Sequence, residues 1–148
     1  MLRRMALTVL FTGAAIGATF LGYWAQDRGV PVYGKAVEVN DDVYPGGKLK
    51  VRWQVYRARA CDATKTEIVI DTGGQRWWIL PPQHFPGPPG PLGLDTYITQ
   101  TYMPEDIPTG PATLRVIVSY VCNPLHKVWP IVDVIPDINF VIRPAGSD

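Results

Sequence analysis

The side chains best suited to chemistry are scarce: Cys61, Cys122, His84 and His126 are the only cysteines and histidines in 148 residues. Cys122 and His126 fall close together in Cys122-Asn123-Pro124-Leu125-His126. Thiolates and imidazoles are the side chains of metal sites and of nucleophilic catalysis. Cys122 could instead pair with Cys61 as a disulfide, which would remove the thiolate. Other chemistry finds less support. No serine sits in a nucleophile-elbow context, and no glycine-rich phosphate loop is present. Asp41-Asp42 and Pro136-Asp137 read as acids of turns. With both histidines in loops no catalytic constellation forms, so the reading is of a non-enzyme without a cofactor.

The elements that must position these groups centre on Gly110 to Pro130, GPATLRVIVSYVCNPLHKVWP. Leu114, Val116, Val118, Tyr120 and Cys122 alternate as one apolar row, the period of a strand with one buried face. The strand ends at Cys122 and breaks into a proline-bearing loop. Upstream, Lys48 to Arg59 alternates in the same way, with Leu49, Val51, Trp53 and Val55 against Lys48, Lys50, Arg52 and Gln54. Cys61 continues its apolar parity and is assigned to the end of this second strand. The basic row is read as a solvated face, because acids elsewhere nearly cancel it and the formal charge is +1. That balance leaves no electrostatic footprint for nucleic acid.

Residues 1–4 form a cytoplasmic tip, and residues 5–25, MALTVLFTGAAIGATFLGYWA, carry no charge. That length spans a bilayer core as a helix, and Arg3-Arg4 before it sets the N-terminus inside. Tyr23 and Trp24 suit the headgroup level at the exit. A cleaved signal peptide is the alternative, with an internal site near Gly17-Ala18, but the span is long and its end is poor for cleavage. Small residues Gly13, Ala14, Gly17, Ala18 and Gly22 would permit close helix approach and homo-oligomerisation through the helix, although such residues are common in membrane spans anyway. Residues 26–31 are a short linker.

The remaining chain, 32–144, is read as strands, with 145–148 as a tail. Val32 to Val39 is followed by the turn signals Asn40-Asp41-Asp42 and Pro45-Gly46-Gly47. Glu67 to Asp71 and Gln75 to Leu80 form a hairpin. Pro81 to Gly93, PPQHFPGPPGPLG, is too rich in proline for a strand and reads as a stiff surface loop. Asp95 to Tyr102 alternates again, and Val128 to Ile135 and Asp137 to Ile142 close the fold. Some seven or eight short strands with turn signals about every ten residues are the pattern of an immunoglobulin-like β-sandwich. The fold class is therefore all-β, preceded by one transmembrane helix, in the inner (cytoplasmic) membrane with the β domain outside.

In such a sandwich the second and penultimate strands belong to opposite sheets, so Cys61 and Cys122 are expected to bridge the core. The compartment favours the bridge, and a loop of this size makes it worth about 4 kcal/mol. The function expected is capture of an unidentified protein by loops, through Pro88, Pro91, Leu92, Asn123, Leu125, His126, Lys127 and Trp129. Trp129 would be its anchor, or else would close the end of the core.

Two resemblances bear on this. Cys122-Asn123-Pro124-Leu125-His126 resembles the copper loop of cupredoxins, which implies Cys122, His126 and His84 as ligands. It departs in lacking a methionine after His126 and in having an extra residue. The stretches PGGKLKVRWQVYRARAC, GPLGLDTYITQ and SYVCNPLHKVWPIV resemble small uncharacterised proteins of tailed bacteriophages and some bacteria. That resemblance implies a phage-encoded inner-membrane protein or a virion structural component, and no assigned activity.

Overall fold

The computed structural model describes residues 2–40, 42–78, 80–87 and 90–146, so the expected contact residue Pro88 lies outside the described residues. One apolar helix, α1 (Leu2–Gln26), precedes an all-β domain. None of the apolar window in its span Arg4–Gln26 is buried, and the helix meets the domain at its base, by Trp24. At about 1.5 Å per residue it is roughly 35 Å long, enough for an apolar core of about 30 Å.

The strands form two antiparallel sheets. In the first, β1 (Val32–Val39), β2 (Lys48–Arg57) and β6 (Gly93–Tyr102) lie in the order β1-β2-β6. In the second, β7 (Gly110–Val121) is central, with β3 (Asp62–Ile70) on one side. The short strands β4 (Arg76–Trp78) and β5 (Gln83–Phe85) pair with β3, and β8 (Ile131–Val134) and β9 (Ile138–Ile142) pair with β7. The alternating rows of β2 and β7 face each other: Leu49, Val51, Trp53 and Val55 share one core with Leu114, Val116, Val118 and Tyr120. Burying each such aliphatic side chain stabilises the fold by about 1.5–3 kcal/mol. The turn before β2 forms as its sequence dictates, with the Gly47 N–H donating to Tyr44 O and Gly46 at a φ of 74°.

The structure corrects several sequence expectations. β2 ends at Arg57, and Cys61 belongs to the entry of β3, which starts five residues before Glu67. The first half of β3 hides from an apolar pattern because its inward positions are Ala63, Lys65 and Glu67. Gln83–Phe85 forms a strand inside the proline-rich stretch, since its three residues carry N–H groups and pair with Ala63–Lys65. The disulfide does form, but within one sheet. Asp62 lies opposite Val121 in the β3–β7 ladder, so Cys61 and Cys122 occupy the next rung, with Cα atoms 4.5 Å apart. That is the spacing of a non-hydrogen-bonded pair. The bridge clamps two neighbouring strands instead of crossing the core.

Candidate functional site

Register fixes which end of the domain is which. β1 starts beside the helix, Val32 and Gly93 both lie opposite Arg57, and β7 finishes opposite Asp62. The end nearest α1 therefore gathers the disulfide, the start of β6 and the segment after Cys122. The segment after Cys122 is a 3₁₀ turn, Pro124–Lys127, capped by Asn123, whose Oδ1 accepts from the Leu125 and His126 N–H groups at 3.0 and 3.2 Å.

This turn is built against the base of α1. Asn123 Nδ2 donates to Trp24 O (3.3 Å), and Arg28 donates to Trp129 O (2.7 Å) and Pro130 O (2.9 Å). The Arg28 guanidinium also lies 4.2 Å from the Trp129 ring centroid, a cation–π contact. Arg59 bonds Asp27 at 2.5 Å and also donates to Gly29 O. Residues 27–29 are thus held on the domain. Burial raises the Asp27 carboxyl, but the Arg59 bond and charge and the Asn123 amide outweigh it and hold the group below its ordinary value.

Of the residues singled out in the sequence, Asn123, Leu125, His126, Lys127 and Trp129 come together in this turn and its exit. Pro91 and Leu92 are exposed just before β6, at the same end. His126 differs from an exposed loop histidine: it is 1% exposed, and its Nδ1 accepts from the Cys122 N–H at 3.2 Å. His84 is on β5, opposite Thr64. With the Cys122 sulfur bonded to Cys61, the copper arrangement has no thiolate in this structure.

A second feature escaped the sequence reading. Between the sheets lies a cleft of about 460 Å³, reaching the open edge of β6 and the β5 side of the facing sheet. Its walls carry charge where a core would be apolar. Arg57, 3% exposed, donates to Asp95 at 2.6 Å and stacks over Tyr97. Glu67, 4% exposed, accepts from Lys65 (2.8 Å) and from Thr101 Oγ1 (2.9 Å). Trp53 Nε1 donates to Thr99 Oγ1 at 2.8 Å. Burial pushes the Tyr97 and Tyr120 hydroxyls up, keeping both protonated. Among the described residues no buried polar side-chain atom lacks a partner. The arrangement can offer an entering group hydrogen bonds over an apolar floor. The signal in the sequence was parity: Arg57 continues the row of Leu49 to Val55, and Lys65 and Glu67 share the row of Val69.

No protein-family model matches the chain, and no curated protein matches it. Among solved structures it is similar to a family 123 glycoside hydrolase from Clostridium perfringens at 10% identity and a TM-score of 0.43. The match covers 78% of this chain and 28% of that one. A likeness at that level carries no argument about fold or activity.

Proposed function

We propose that the chain is a non-enzymatic, single-pass membrane protein whose outer, immunoglobulin-like domain binds an extended segment of another protein by strand addition at β6. The reading is carried by β6 itself. It is an edge strand of ten residues, paired with β2 through ten consecutive rungs, and among the described residues no strand lies beside its outer edge. Edges of this length are normally guarded by charges, prolines or bulges. β6 has one charge, Asp95, which is turned inward and tied to Arg57. Added strands gain affinity from main-chain hydrogen bonds and specificity from pockets for alternate side chains, and the cleft lies beside this edge.

The immunoglobulin-like assignment is supported by strand order. β1, β2 and β6 take the places of A, B and E; β3, β7 and β8–β9 take those of C, F and G. The bridge then joins C to F, where antibody domains join B to F. Arg3-Arg4 before the span and a disulfide after it support an inside N-terminus and an oxidising outer compartment.

A second copy in the same bilayer is a poor occupant of this edge. Antiparallel β6–β6 pairing needs a two-fold axis across the strands, and it would send the two anchors to opposite ends. The occupant is therefore a different protein. The test is site-specific photo-crosslinking of the full chain in membranes, from Thr96, Ile98 and Gln100 on β6 and from Lys35 on β1 as control. Strand addition predicts β6 adducts that step along the partner two residues at a time, lost in Ile98→Lys. Adducts without that stepping, or equal labelling from Lys35, would refute it. The virion alternative predicts that the chain sediments with particles instead of floating with membranes.

A further inference from the structure

We infer that the anchor end of the domain is a lipid-contact surface, seated in the interfacial region of the bilayer that α1 crosses. The inference rests on the reading of α1 as a retained membrane anchor. Val128 is 82% exposed, more than any other large apolar side chain described, and stands with Trp129 at the tip of the segment after the 3₁₀ turn. Tyr33, Tyr56 and Leu94 form a row across β1, β2 and β6, one rung from that end, and all three are exposed. Both groups lie at the end of the domain where α1 leads into β1. Exposed aromatic and apolar side chains grouped around one feature mark a contact surface.

The occupant follows from the tether. Only residues 27–31 separate α1 from β1, and fully extended they reach about 17 Å. They are not extended, because Arg59 holds Asp27 and Gly29, and Arg28 holds the Trp129 and Pro130 carbonyls. This end cannot withdraw far from the headgroups. Tryptophan and tyrosine favour that depth, where the ring is shielded and the polar tip stays wet. Arg28 beside the Trp129 ring and the exposed Lys127 place cations at phosphate level. A protein partner covering the same end would have to displace lipid from beneath a domain fastened to it.

The experiment uses the full chain in phosphatidylcholine vesicles, with an environment-sensitive fluorophore on a cysteine introduced as Val128→Cys. The two native cysteines are bonded to each other and stay unlabelled. Glu105→Cys, in the loop after β6 at the opposite end, is the reference. Nitroxide lipids labelled just below the headgroup are the quenchers. Seating predicts severalfold stronger quenching and a blue-shifted emission at position 128 relative to 105. Equal quenching at the two positions, with the chain still retained after alkaline carbonate extraction, would overturn the seat and leave the anchor standing. Release by carbonate would overturn the anchor and the seat together.

Discussion

The Asp27 carboxyl is held below its ordinary value although burial opposes this, because Arg59 and Asn123 favour its charged form. Asp137 is lowered by its bond to Arg115, against burial, and Asp71 by the Trp77 indole and turn N–H groups. A folded pKa below the unfolded one adds stability that is fully present above about pH 4 and lost as pH falls through the folded value. Unfolding midpoints should therefore be flat from neutral pH to about 5 and decline below about 4. Asp27→Asn should lower the midpoint at neutral pH and flatten its acid limb. Chemical denaturation across pH checks both. His126 shows how a residue type misleads: a histidine between prolines in a loop looks solvent-facing, but the Asn123 cap folds it inward.

At the scale of elements, β1 lies so close to β2 that an added side chain would collide. A Cβ at Gly34 would stand 2.6 Å from Val55 Cγ1 and 3.3 Å from Gln54 O. Gly34→Ala should cost about 1–3 kcal/mol through overpacking, seen as a lower melting temperature than that of Lys35→Ala on the outward face. Much at this scale was legible in the sequence. Val32–Val39 was expected with its observed bounds, and the long β6 and β7 runs announced themselves by alternation. What failed did so for a physical reason. β3 begins with Ala63, Lys65 and Glu67 on its inward row, so burial of charge erased the apolar pattern. Cys61 kept β2 parity by chance across a turn. The cleft was hidden by the same charges, because patterning assumes that inward means apolar.

For the whole molecule, the Cys61–Cys122 clamp closes 61 residues of sequence separation. Removing it as Cys61→Ser/Cys122→Ser should cost about 4 kcal/mol in the chain-entropy model. The denaturation midpoint of wild type in reductant should move toward that of the double variant. The loops favoured for binding in variable-type sandwiches cluster at one end. Sequence alone could not say which end carries the tether, and that orientation decides what those loops can meet. The tether also sets a height. β7 has twelve residues, so it rises roughly 40 Å from the end nearest α1. Because residues 27–29 are pinned and not slack, the domain cannot sweep outward like a bait on a line. Under the proposed function it would work as a post of fixed length, and any chain it recruited would have to come within that one storey above the lipid.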